Sequence, residues 1–183
     1  MIGTMRGTVK LVPFSHGWKR SFNAERNKLK KVLGHNAIKI EHVGSTAIPG
    51  MVAKPIIDIA VIVPSFQLFK KYIPALAKIG YKHKADDDRV DRFFFPKGSI
   101  QKRTHYLHVG EVNTHYVGDM ILFRDYLLVH DNERQRYIAL KQELARKHSN
   151  ERRIYTDKKK DFVNKVVRKA RKLLLISKKV KVI

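Results

Sequence analysis

Between His42 and Asp58 the chain carries a Gly-Ser-Thr turn, Gly44-Ser45-Thr46, followed twelve residues later by an acid in an otherwise apolar run. Gly44 lets the backbone approach a ligand closely. Ser45 and Thr46 offer hydroxyls and N–H groups where a short helix begins, a favourable place for a phosphate. Asp58 projects a carboxylate from a rigid segment, where it could hold Mg2+ against that phosphate. Lys54, just before Pro55, can pair with Asp58 or with a phosphate, and Arg103 and Arg124 carry the planar fork that suits oxyanions. His105 and His108 lie three apart, so on a strand they face opposite ways, and His108 shares its face with Tyr106. Each residue also has a structural reading. Asp58 could cap backbone N–H groups, the turn could be only a turn, and Lys54 could be solvated. His42 could be a hydrogen-bonded core histidine, and Arg124 could pair with Asp125.

The surrounding pattern supplies the elements that would position these groups. Trp18, Phe22, Leu29, Val32 and Leu33 recur at helical spacing, which predicts an amphipathic helix over Gly17–Leu33 ended by Gly34. Ala37–Val43 alternates as a strand, and Ile56–Val63, bounded by Pro55 and Pro64, reads as a central strand covered on both faces. Phe66–Ile79 is a helix with Pro74 inside it, kinked there or begun anew, and Gly80 suits its C-cap. Tyr81–His83, Arg92–Phe95 and Thr104–Val109 are further strands, with Phe93–Phe95 in the sheet core. Helices follow over about His115–Val129, Asn132–Lys147 and Arg152–Ile176. This order favours an α+β domain with a mixed β-sheet flanked by helices. One domain spans 11–170, with a flexible N-terminus over 1–10 and a basic C-terminal extension over 171–183.

Composition bounds the partners. Thirty-nine Lys and Arg stand against 16 Asp and Glu, a net of +23, which draws polyanions such as nucleic acid, nucleotides or phosphorylated molecules. From Arg152 onward there are thirteen Lys or Arg and two acids, a net of +11. Lys158, Lys165, Arg168, Lys169 and Lys172 fall in one arc of that helix, opposite an apolar face of Phe162, Val163, Val166, Leu173 and Leu174. The basic C-terminal region is thus a candidate nucleic-acid contact, with a solvated face as the alternative. Cysteine is absent, which excludes disulfides and thiolate metal sites. With no signal-like start and no run of ~18 apolar residues, the expectation is a cytoplasmic protein that no helix anchors in a membrane.

The run IEHVGSTAIPGMVAKPIIDIAV (Ile40–Val61) resembles the signature of the GrpB family, within the polymerase-β-like nucleotidyltransferase superfamily. The likeness continues through RFFFPKG (Arg92–Gly98), RTHYLHV (Arg103–Val109) and LFRDYL (Leu122–Leu127), to about Phe162. It implies a nucleotidyltransferase-like fold with its cleft beside Gly44-Ser45 and Asp58. It also implies an NTP substrate held by Gly44, Ser45, Thr46, Lys54, Arg103 and Arg124, with Mg2+ on Asp58. The superfamily pattern has a second acid two residues after the first, but Ala60 stands there. It has a third acid on a nearby strand, but Arg103–Val109 contains none; His108 is the candidate ligand, since imidazole can replace carboxylate around several metals. Two functions follow. One is transfer of a nucleotidyl group from an NTP to an acceptor; the other is a binding module for nucleic acid or a phosphorylated ligand that has lost the chemistry.

Overall fold

In the computed structural model, which describes residues 2–180, four strands form one sheet in the order β1-β2-β4-β3. They are β1 (Lys39–Val43), β2 (Ile57–Val63), β3 (Phe93–Gly98) and β4 (Arg103–Glu111). The outer pairings are antiparallel and the central β2–β4 pairing is parallel, so the sheet is mixed. A parallel pair needs a crossover, and the 39 residues between β2 and β4 supply it. Ile57, Ile59, Val61 and Val63 are fully buried on one face of β2, while Asp58, Ala60 and Ile62 point to the other.

The first face packs under α1 (Gly17–Leu33), α2 (Phe66–Phe69) and α3 (Ile73–Lys78). Trp18, Phe22, Leu29 and Leu33 meet Ile59, Leu107 and Phe95 there in the main core. As Pro74 required, the predicted helix over Phe66–Ile79 is broken into these two short helices, and Pro74 sits at the start of the second. On the second face lies α4 (His115–Val129), whose Val117 packs against Val43 and Ala60. Gly110 permits this approach, since a Cβ there would come within 2.8 Å of Val117. Beyond α4 are α5 (Asp131–Lys147), α6 (Arg152–Lys158) and α7 (Lys160–Val180).

Several expectations need correction. Tyr81–His83 is not a strand; the bridge Tyr81↔Lys97, two backbone bonds from Lys82 and Lys84, and the His83 ring stacked 4.8 Å from Phe95 hold it beside β3. The strand expected over Arg92–Phe95 runs on to Gly98, and Pro96 is tolerated because β3 is at the sheet edge. The N-terminal segment makes backbone contacts with the body of the fold. Gly3, Thr4, Arg6 and Val9 donate backbone hydrogen bonds to Pro55, Arg103, Ile100 and Ser149. The final helix is two helices, broken at Lys159, and Leu173 and Leu174 are 48% and 45% exposed rather than in the core. The basic extension continues α7 as far as Val180, and residues 181–183 lie outside the described part.

Candidate active site

β1 ends at Val43, directly opposite Asp58 on β2. Gly44 then turns the chain with φ of 69°, a conformation that favours glycine. A Cβ at this position would lie 2.6 Å from Asp58 Oδ2. The glycine therefore makes room for the carboxylate itself. One turn of 3-10 helix, Ser45–Ala47, follows.

The two hydroxyls of the turn part company. Thr46 is buried; its Oγ1 donates to the Ile56 carbonyl at 3.3 Å and lies 3.0 Å from His42 Nε2. That histidine stacks on Phe22 with centroids 4.8 Å apart, and burial lowers its pKa to about 4, so it is a neutral core residue. Ser45 instead accepts a hydrogen bond from Lys141 Nζ at 3.1 Å. The Lys141 ammonium also donates to the Val52 carbonyl.

On the sheet, register decides what faces the cleft. Asp58 pairs with Tyr106 and Ala60 with His108 across the parallel β2–β4 pair, so all four share a face. His108 Nε2 is 3.5 Å from Asp58 Oδ1, and neither ring nitrogen has a hydrogen-bond partner within the protein. His105 lies on the opposite face, beside Thr104, and burial depresses its pKa to about 4. The position where a second carboxylate would stand is fully buried Ala60, packed by Val43 and Val117. Cross-strand from Ala60 is Glu41.

A cleft of about 450 Å³ opens over this face, with Ser45, Thr46, Lys54, Asp58, Tyr106 and His108 in its wall. Its charge is lopsided. Lys54, Arg92, Lys141, Arg152, Lys159 and Lys160 also line it, whereas Asp58 is its only acid. Burial, together with neighbouring cations, lowers Lys54 and Lys141 to about 7, while burial is the leading cause that brings Lys159 to about 8. Lys54 and Lys159 both approach the buried Tyr155 ring, at 5.5 and 4.4 Å from its centroid. Such crowding of ammonium groups around one carboxylate is costly.

The other predicted phosphate ligands lie elsewhere. Arg124 does not line the cleft; it bonds Glu41 at 2.8 Å, Asp125 at 2.7 Å and the His42 carbonyl at 2.7 Å. Its fork therefore neutralises Glu41, the residue cross-strand from Ala60. Arg103 is buried, donates to the Gly98 carbonyl at 2.6 Å, and faces the adjoining groove. Sequence reasoning missed Lys141, Lys159, Arg92 and Arg152. A signal existed for the first two. Lys141 stands on the stripe Tyr137–Lys141–Leu144, and Lys159 on Tyr155–Lys159–Val163, each a lysine at helical spacing among apolar residues.

Asp58 and His108 fit a divalent ion only in part. Among the described residues no three His, Cys, Asp or Glu side chains converge as a metal centre. Two donors facing six cations suit an ion that arrives with its own phosphate ligands better than a resident one.

The mixed sheet, with Gly-Ser closing one strand and Asp on the next, defines a nucleotidyltransferase-type fold. Cid1 poly(U) polymerase bound to MgATP superposes with a TM-score of 0.51 at 15% identity, over 73% of this chain and 44% of that one. That likeness is one of fold. Within that class the chain belongs to the GrpB family, whose model, described as GrpB protein, matches residues 8–169. It is 38% identical over 172 residues to the glutamate-rich protein GrpB of Alkalihalophilus pseudofirmus, covering 91% of this chain and 98% of that one. It is 35% identical over 155 residues to the YqkA protein of Bacillus subtilis, covering 85% of this chain but only 45% of YqkA. The crystal structure of the conserved protein GrpB from Enterococcus faecalis superposes with a TM-score of 0.84 at 31% identity, over 91% and 99% of the two chains. No helix among the described residues is long and apolar enough to cross a membrane.

Proposed function

We propose that the cleft binds a nucleoside triphosphate as its Mg2+ complex and transfers the nucleotidyl group to an acceptor hydroxyl. The observation that carries this reading is the convergence of Ser45, Lys54, Lys141 and Lys159 beside a single carboxylate, Asp58, in one cleft. Lys141, bonded to Ser45, and Lys54 and Lys159, flanking Tyr155, take the β- and γ-phosphates. Asp58 and His108 would hold the ion that the phosphates bring, which would supply charge neutralisation at the phosphoryl oxygens. The acceptor oxygen bonds to the α-phosphorus, the bond to the bridging oxygen breaks, and pyrophosphate leaves with that electron pair. The acceptor proton passes to water. The cations act by stabilising charge that grows on the phosphoryl oxygens.

The test is calorimetry with each of the four NTPs, with and without Mg2+. Micromolar binding that Lys141→Met and Asp58→Asn each weaken at least tenfold is expected. Failure of all four NTPs to bind below millimolar would sink the reading. One observation favours a second function, a binding module without transfer: Val117 of α4 closes the space beside Ala60 where another carboxylate would stand. In that case NTP binds and no pyrophosphate is released with any acceptor.

A further inference from the structure

A second groove, of about 780 Å³, adjoins the cleft and shares Arg92, Phe94, Tyr106, Arg152, Thr156 and Lys160 with its wall. It lies between the N-terminal segment, the loop before β3, and α6, and it is more basic than the cleft. Eight Lys or Arg side chains line it, against Asp87 and Asp157. Lys84 and Lys160 have acidic partners, at 3.6 and 2.8 Å. Among the described residues the other six, Arg6, Arg89, Arg92, Arg103, Arg152 and Arg153, have no carboxylate within 4.0 Å.

Two of those arginines are built in. Arg92 is 9% exposed, stacked 5.2 Å over Phe94 and 4.9 Å over Tyr116, with its Nε unpartnered. Arg152 lies 5.2 Å over the Tyr106 ring. Both stand in the wall common to the cleft and the groove, on the way to Asp58. The Arg92 fork shapes the wall, with Nη1 donating to the Tyr116 hydroxyl at 2.9 Å and Nη2 to the Asp87 carbonyl at 2.6 Å, while stacking on Tyr106 holds the Arg152 guanidinium in place for an oxyanion.

We infer that this groove, and not the basic helix α7, is the acceptor site, and that its ligand is a single-stranded oligonucleotide whose terminal hydroxyl enters the cleft at Asp58. A lone phosphate is saturated by two or three cations, whereas Arg6, Arg89, Arg152 and Arg153, spread along the groove without a carboxylate partner, match a chain of phosphates. Among the described residues the basic side chains of α7 line smaller concavities, which they share with Glu133 or with Asp119 and Asp161. Lys169 and Arg171 are tied to Glu133 and Asp119, and Lys165, Arg168 and Lys172 stand exposed on the helix. This assignment rests on the transfer reading above, and its test is arranged to fail separately.

Two triple variants remove the same charge from exposed positions: Arg6→Ala/Arg89→Ala/Arg153→Ala in the groove and Lys165→Ala/Arg168→Ala/Lys172→Ala on α7. Each is titrated into a 5′-fluorescein-labelled ten-nucleotide single-stranded RNA, read by anisotropy between 50 and 200 mM salt. The groove variant should bind at least tenfold more weakly, with its log–log salt slope reduced by about 2, from some three lost phosphate contacts. The α7 variant should stay within about twofold of the unmodified chain. Equal losses in the two variants, loss in the α7 variant alone, or RNA held no more tightly than inorganic triphosphate would overturn the assignment. Calorimetry with NTP on the groove variant separates the two proposals. NTP binding with RNA affinity unchanged overturns the groove alone. RNA lost from the groove variant with no NTP binding to any form supports the groove as the RNA site and overturns transfer, and with it the acceptor role.

Discussion

The two faces of the sheet treat buried charge in opposite ways. Under α1, the carboxylate of Glu25 is met by Lys97 and Lys28, His42 is neutral against Thr46, and His105 is neutral beside Thr104. The buried carboxylate there is answered by cations and the core closes around it, while the Trp18 Nε1, the Tyr81 hydroxyl and the His105 Nε2 are left without partners. Under α4 and the C-terminal helices, Lys54, Lys141 and Lys159 crowd one another, His108 has both nitrogens unpartnered, and Asp58 is the lone acid of the cleft. The first arrangement stabilises the fold. The second costs stability, and on the proposed function a bound polyanion would offset that cost.

Truncation on the closed face should have the largest effect on stability. Leu107→Ala, at a fully buried position, should cost about 2–5 kcal/mol in urea denaturation while leaving NTP affinity in the surviving folded fraction unchanged. Loss of nucleotide binding in a folded Leu107→Ala protein would break the division between the faces. Gly44→Ala joins the two sides, because it strains the turn and drives a Cβ into Asp58. It should cost about 1–3 kcal/mol and reduce NTP affinity at least tenfold.

The open face should respond to pH in an unusual direction. Between about pH 7 and 10 an unfolded chain keeps protons on Lys54, Lys141 and Lys159 that the folded chain, with these groups lowered to about 7, 7 and 8, has released. The unfolded state binds more protons, so the contribution of these lysines to stability rises with pH across that window. Thermal melts of the free protein should show it as an upward trend, and Lys141→Met should raise the melting temperature at pH 7 and flatten the trend. NTP affinity should move the other way, falling as pH rises through 7 to 8, with proton uptake on binding measurable in buffers of different ionisation enthalpy. His42 and His105, both near 4, add the ordinary acid-side effect: stability present above pH 6.5 is lost as pH falls toward 4. The smallest effect belongs to Arg124. A double-mutant cycle of Arg124→Gln with Glu41→Gln should give a coupling of roughly 1 kcal/mol with no change in NTP binding.

Much of this was legible in the chain itself. The alternation of β1 and the unbroken apolar run of β2 predict their places, because period and length report which faces are buried. Gly44-Ser45 and Asp58 can be singled out because glycine and a strand acid are conspicuous against apolar neighbours. Pro74 breaks its helix wherever the rest of the chain goes, since a ring closure and a missing N–H are local facts. Tyr81–His83 and the exposed Leu173 and Leu174 were misread for the complementary reason. Strand formation and burial depend on what lies alongside, which a local pattern does not report.

What the sequence determined by itself is the mixed sheet, its central strand, and the turn and acid beside each other. What only tertiary structure decided is the partner of each charge. Lys141 lies ninety-six residues from the Ser45 that it bonds, and Arg124 eighty-three from the Glu41 that it neutralises. A Coulomb interaction follows distance in space and the dielectric around it, and neither is written in residue spacing. Two lysines that sit as misfits on apolar helix stripes thus become the cationic wall of a cleft, while two arginines predicted there belong to its surroundings.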